Sequence, residues 1–217
     1  MTTEILIYDD IGPDWAGMVS AKSIVDLIDK VGRGLPVTVR INSPGGDVTE
    51  AQAIYNAMRR QSKTGGKVTV EIDGLAASAA SYVAMAGDRI NIAENAMMMI
   101  HKAWTFAFGN ADEIRSTADI LDKFDGIISA TYAARSGMSV DDVMAKMLDE
   151  TWLTADEAIE SGLADGIGEP LNVAASIRPG RYAKTPAKFL AAEKPLMNAG
   201  HQNMLAKQRI RIAQARI

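Results

Sequence analysis

Residues 68–88 read VTVEIDGLAASAASYVAMAGD, and this stretch indicates the fold. VTVEI alternates apolar and polar residues as a half-buried strand does, and a run of small residues then leads into a helix from about Ser78 to Ala86. The pattern predicts a strand, a tight turn at Ser78 and a helix. A serine at such a turn is more often part of a closely packed helix start than a nucleophile, so only partner residues can indicate catalysis.

The first partner is His101, which ends the apolar strand predicted over Ala96–Ile100 and is the only histidine in the first 200 residues. A histidine alone is commonly a structural residue. A serine at an exposed turn together with a histidine at the end of a strand predicts nucleophilic catalysis, with the histidine as the base.

The second partner is the turn NSPGG at 42–46, between a strand predicted over 36–41 and a helix over 49–60. Its glycines allow the backbone to point N–H groups into a cleft, as the stabilisation of an oxyanion requires. An ordinary turn in which Asp47 or Thr49 caps the helix would have a similar sequence, so both interpretations stay open here.

Strands and helices alternate along the first hundred residues, which predicts an α/β fold with a mostly parallel sheet and crossover helices. The turn at 42–46 and the turn at Ser78 both follow strands and should therefore open at the same edge of the sheet. The other predicted elements are strands at Ile5–Tyr8 and Arg89–Ile92 and helices at Ser20–Val31, Ser139–Met147 and Thr154–Ser161.

Asn110–Arg135 is predicted to form a long amphipathic helix outside this alternation. A helix of about 25 residues spans nearly 40 Å, more than the body of the molecule can cover, so part of it should pack against another subunit. Its apolar stripe comprises Ile114, Ile120, Leu121, Phe124, Ile127, Ile128 and Tyr132.

Composition limits the class of protein. The chain has 217 residues, 47% of them hydrophobic, with no cysteine and no apolar run long enough for a membrane span. It has no secretory signal, so a cytoplasmic location is expected, and two distant histidines make a zinc site improbable. No metal or other cofactor and no nucleic-acid partner is expected.

The charge is divided unevenly along the chain. The residues from Leu171 onward include nine Lys and Arg and one acid, which gives them a net charge of +8. Since the net charge of the whole chain is −4, residues 1–170 have a net charge of −12. This predicts a folded domain over 1–170 and a basic, flexible tail over 171–217 with a short basic helix near Asn203–Ile217. The tail is either solvated or an electrostatic tether to an acidic partner.

INSPGGDV, GLAASAAS, MMMIH and ETWLTADEAIESGLAD, in this order and spacing, resemble the Clp protease proteolytic subunit family over about residues 4–168. The likeness is greatest to its bacteriophage branch, the head maturation proteases. The resemblance implies a crotonase-like αβ spiral, a serine endopeptidase with a Ser-His-acid triad, and assembly into rings. It also implies that the helix over Asn110–Arg135 is the handle that pairs two rings.

The same resemblance implies roles for individual residues. The nucleophile falls on Ser78, the base on His101, and the oxyanion donors on the backbone N–H groups of Gly46 and Ala79. The acid falls on Glu150, where the Clp subunit usually has Asp, and the adjacent Asp149 stays open as its substitute.

The expected physiological role rests on a difference between this chain and the Clp subunit at the N-terminus. The Clp subunit has about thirty residues before its first strand that form axial pore loops, whereas here the first strand begins at about residue 4. We therefore expect no AAA+ unfoldase to be required, and scaffold, capsid or portal proteins inside a phage prohead as substrates. A general Clp proteolytic subunit and a dormant structural ring in capsid assembly are the alternatives.

Two other enzyme classes share the predicted fold. A signal-peptide peptidase would use a serine–lysine dyad, but Lys102 should point away from the side of the strand that His101 occupies. A crotonase-type acyl-CoA enzyme would use paired N–H groups without needing both Ser78 and His101.

Overall fold

The computed structural model describes residues 3–168 and 177–190, and all elements named here lie in these ranges. The strands are β1 Thr3–Ile7, β2 Val37–Ser43, β3 Val68–Ala77, β4 Arg89–Ala93, β5 Met97–Ile100, β6 Thr151–Thr154 and β7 Gly166–Gly168. The helices are α1 Ala21–Val31, α2 Val48–Lys63, α3 Ala79–Ala84, α4 Ala111–Ser136, α5 Val140–Leu148 and α6 Ala155–Glu160. The predicted α/β fold is confirmed.

The sheet is parallel along the order β1-β2-β3-β4-β7. The first half of β3 pairs with β4, and its last three residues, Leu75–Ala77, pair with β5. β6 then adds antiparallel to β5. Because β2 and β3 are parallel neighbours, the turn after 43 and the turn at Ser78 open at one edge of the sheet, as predicted.

Side chains at the helix starts fix where the helices begin. Ser20 accepts a hydrogen bond from the N–H of Ser23 before α1, and Asp47, one of the two predicted caps, accepts from Thr49 and Glu50 before α2. The apolar faces of β1–β5 and α1–α3 form most of one buried cluster that extends to the C-terminal half of α4. The two turns therefore stand on a rigid, close-packed support.

α4 has 26 residues, a length of about 39 Å. Its C-terminal half is anchored by buried side chains, among them Ile128 and Tyr132, whereas Ile114, Ile120 and Ile127 are 46%, 53% and 50% exposed. The predicted apolar stripe is thus only partly covered by the chain itself.

Within the described ranges no helix combines the length and apolar character that a membrane span requires. The boundary near residue 170 stays a prediction. The predicted helix at Asn203–Ile217 lies outside the described residues, but part of the predicted tail, residues 177–190, is described and packs against the body.

Candidate active site

Ser78 lies between β3 and α3 in a strained backbone conformation. Its φ of 56° and ψ of −124° are seldom adopted by residues with a side chain and cost about 1–3 kcal/mol. The N–H of Ser78 donates to the carbonyl oxygen of Met99 (2.9 Å), which ties the turn to β5. The hydroxyl of Ser81 lies 2.7 Å from the carbonyl oxygen of Ser78 and 2.8 Å from the hydroxyl of Tyr132. These contacts hold the turn between the sheet and α4.

His101 follows β5 directly, and its Nε2 lies 2.7 Å from Oγ of Ser78. The chain after it is held by the buried Asp125 on α4, which accepts a hydrogen bond from the N–H of Ala103 (2.7 Å) and pairs with Nζ of Lys102 (3.1 Å). Burial lowers the pKa of His101, and the charges of Glu150 and Asp125 oppose that effect. Burial therefore favours the neutral imidazole, the form that can accept a proton.

Gly46 and Ala79 stand on either side of Ser78. Gly46 is fixed by a bridge to Ile11, whose N–H donates to the carbonyl of Gly45 and whose carbonyl accepts from Asp47 (both 2.9 Å). A Cβ on Gly46 would lie 1.9 Å from the carbonyl oxygen of Ile11, so only glycine fits. In the described ranges the N–H groups of Gly46 and Ala79 make no hydrogen bond, and both residues line the cleft at Ser78.

That cleft has a volume of about 460 Å³ and extends from the Ser78 turn to the projecting part of α4. Four predicted site residues, Gly46, Ser78, Ala79 and His101, line it together. The cleft thus brings together a serine hydroxyl, an imidazole hydrogen-bonded to it and two backbone N–H groups, which are the kinds of group that acyl transfer uses.

Glu150 makes other contacts. Its carboxylate accepts hydrogen bonds from Nε1 of Trp152 (3.1 Å) and from the backbone N–H groups of Ala183 (2.7 Å) and Lys184 (2.5 Å). Among the described residues it forms no hydrogen bond with His101. Asp149 is largely exposed and pairs with Nζ of Lys184. The assignment of a triad acid therefore stays a prediction.

Three residues near the site, Asp125, Arg181 and Tyr182, are not predicted from the sequence. The sequence does contain an indication for Asp125, because it lies four residues after Leu121 and three before Ile128 on an otherwise apolar helix face, where an acid needs a partner. For Arg181 and Tyr182, which line the cleft, the sequence contains no such indication, since they lie in a basic stretch without periodicity.

Comparison with known proteins identifies similar sequences and a similar fold. A proteolytic subunit of an ATP-dependent Clp protease from Bacteroides fragilis is 34% identical over 142 residues, which are 64% of this chain and 67% of the relative. One from Ligilactobacillus salivarius is 29% identical over 165 residues, 75% of this chain and 81% of the relative. The solved structure of a ClpP1 point variant from Listeria monocytogenes superposes with a TM-score of 0.66 at 23% identity, over 76% of this chain and 91% of that one.

The first of these relatives is thus matched over about two thirds of its length, and the solved structure shares the fold. A sequence profile of the Clp protease family matches residues 2–170, which include most of the described residues and all seven strands and six α-helices named above. Since that match covers far more than half of the chain, the protein belongs to the Clp protease family.

Proposed function

We propose that the protein is a serine endopeptidase of the ClpP type, which hydrolyses peptide bonds through Ser78 and His101. The observation that carries the proposal is the 2.7 Å contact between Ser78 Oγ and His101 Nε2, at a cleft lined by Gly46 and Ala79. The names of the relatives, proteolytic subunits of Clp proteases, support the same reaction class.

In this mechanism neutral His101 takes the hydroxyl proton of Ser78 as Oγ attacks the peptide carbonyl carbon. The N–H groups of Gly46 and Ala79 hold the oxyanion, and each such donor lowers the barrier by about 3–4 kcal/mol. His101 then gives the proton to the leaving amine, and water hydrolyses the acyl-serine by the reverse steps.

We assign the acid of the triad to Glu150 rather than Asp149. Within the described ranges, Ser78 and Glu150 are the two non-glycine residues with positive φ, 56° and 50°. Strain of this kind concentrates at functional positions. We expect Glu150→Gln to lower kcat strongly and the neighbouring Asp149→Asn to leave it within about twofold; the reverse order would assign the role to Asp149.

Labelling by a fluorophosphonate probe, followed by intact mass, tests the nucleophile and the base. The full-length protein should take up one adduct, which Ser78→Ala and His101→Ala should abolish. Matched controls are Ser62→Ala, a serine on α2 bonded to Asp88, and His201→Ala, the second histidine of the chain.

Each control should label as the wild type does. Retention of the adduct in His101→Ala would move the base to another residue, such as a lysine. No adduct in any form, at a concentration where the protein assembles, would refute the proposal and favour the dormant structural ring.

The substrates of this activity and its need for an unfoldase distinguish two physiological roles. The relatives' names describe ATP-dependent proteases, which favours a general Clp proteolytic subunit working in a homo-oligomeric ring with an unfoldase. Processing of phage scaffold, capsid or portal proteins without an unfoldase is the narrower alternative and has only the sequence resemblance in its support. Cleavage of a folded protein with and without a Clp unfoldase and ATP separates them: dependence on ATP supports the first.

A further inference from the structure

Residues 177–190 fold back onto the catalytic edge of the sheet. Ile177, Tyr182 and Phe189 are buried and pack with Leu75, Ala77 and Met99 from the ends of β3 and β5. The N–H of Ile177 donates to the carbonyl oxygen of Phe189 (2.7 Å), which closes the segment into a loop. Burial of these three side chains away from water stabilises the contact, so this is a docked element and not a solvated linker.

Tyr182 stands at the nucleophile. Its ring packs edge-on against the imidazole of His101, with centroids 5.1 Å apart, and its hydroxyl donates to the carbonyl oxygen of Pro44. Tyr182 and Ser78 line the same cleft. Pro44 immediately precedes the glycine pair, so this hydrogen bond joins Tyr182 to the turn that carries the proposed oxyanion donor.

Charged groups fix the segment on both sides of this tyrosine. Arg181 forms a largely buried ion pair with Asp10, next to the Gly46 bridge. On the other side, the N–H groups of Ala183 and Lys184 donate to the carboxylate of Glu150, as described above. One short stretch thus contacts the proposed base, lines the cleft beside the proposed nucleophile and, through its backbone, contacts the predicted acid.

The segment is not in position to be cleaved at this site. Acyl transfer requires a carbonyl oxygen at the N–H groups of the oxyanion site, and in the described ranges no carbonyl of the segment accepts a hydrogen bond from Gly46 or Ala79. Arg181 and Tyr182 line the cleft and so reduce the space left for a substrate, and a segment held in this way obstructs the site without being cleaved.

We propose that residues 177–190 are an internal inhibitor of the Ser78 site, held there by Tyr182 and Arg181 and displaced when a peptide substrate binds. The proposal rests on the peptidase function proposed above. It means that only the fraction of molecules with the segment displaced can bind substrate, which raises the apparent KM by the inverse of that fraction.

The test uses the full-length chain. Tyr182→Ala removes the ring from His101, and Arg181→Ala removes the ion pair with Asp10, so the second variant provides an independent result if the first is poorly folded. Arg178→Ala, an exposed position in the same segment, is the matched control. For each, the rate of fluorophosphonate labelling and kcat/KM on a short fluorogenic peptide are measured.

We expect both variants to label faster and to gain about tenfold in kcat/KM, mainly through KM, if roughly one molecule in ten is open in the wild type. Arg178→Ala should match the wild type. A synthetic peptide of residues 177–190 should inhibit Tyr182→Ala competitively and remain intact by mass spectrometry.

Two outcomes would overturn the inference. If the wild type labels and neither variant labels faster, the peptidase stands and the internal inhibitor is wrong. If neither the wild type nor the variants label, the proposed function itself fails, and the inhibitor fails with it.

Discussion

The turn before α2 passes so close to Ser78 that a methyl group at position 45 has no space. A Cβ on Gly45 would lie 2.5 Å from the carbonyl oxygen of Ala77, 2.8 Å from Cβ of Ser78 and 2.9 Å from N of Ala79. Ordinary contact begins near 3.4 Å, so Gly45→Ala must move one turn or the other by roughly 0.5–1 Å. A displacement of about 1 Å at a catalytic group can cost about a hundredfold in rate, and we expect that loss in kcat/KM.

Gly65→Ala is the matched control. Gly65 has φ +94°, close to the +89° of Gly45, but a Cβ there would meet no heavy atom within 4 Å in the described part of the chain. Both variants should lose about 1–3 kcal/mol of stability from the strained backbone, a fall in Tm of very roughly 2–10 °C. Only Gly45→Ala should also lose peptidase activity. Equal kcat/KM for the two variants would refute the close coupling of this turn to Ser78.

Three further predictions concern the base, its support and the projecting helix. Because burial lowers the pKa of His101, the neutral base persists to more acidic pH, so kcat/KM should fall on acidification with a midpoint below 6.5; a midpoint above 7 would contradict this. Asp125→Asn should lower stability by about 1.5–3 kcal/mol in urea unfolding, since it leaves Lys102 without its buried partner, whereas Asp122→Asn, on the exposed side, should change it little. Ile120→Asp should lower the assembled mass measured by light scattering at equal protein concentration, and an unchanged mass would show that this face of α4 is not an interface.

Local patterns in the sequence were sufficient for most of the supporting fold. Ser20 and Asp47 cap α1 and α2 where the polar-to-apolar change predicts helix starts. The strand predicted over 68–72 is longer than expected and ends at Ala77, because GLAA is buried between β2 and β5 and so has no polar alternation. Alternation marks a strand only where one face meets solvent.

The docked segment could not be predicted in this way. Tyr182 and Phe189 are surrounded in sequence by Pro, Gly and basic residues, which are typical of a solvated linker. Their burial depends on residues more than 80 positions away, at the ends of β3 and β5, and no local pattern contains that information.

Glu150 has a part in both proposals, as the predicted acid of the triad and as the acceptor for the backbone of the docked segment. With the segment docked, the carboxylate accepts N–H groups of Ala183 and Lys184 and makes no hydrogen bond with His101 in the described ranges. Displacing the segment removes those donors and leaves the carboxylate available to the imidazole. An opposite charge that comes closer favours the imidazolium and raises the pKa of His101. Tyr182→Ala should therefore show a more alkaline midpoint in its pH–rate profile than the wild type, while Arg178→Ala should not. Identical midpoints would mean that the segment blocks the cleft without acting on the acid.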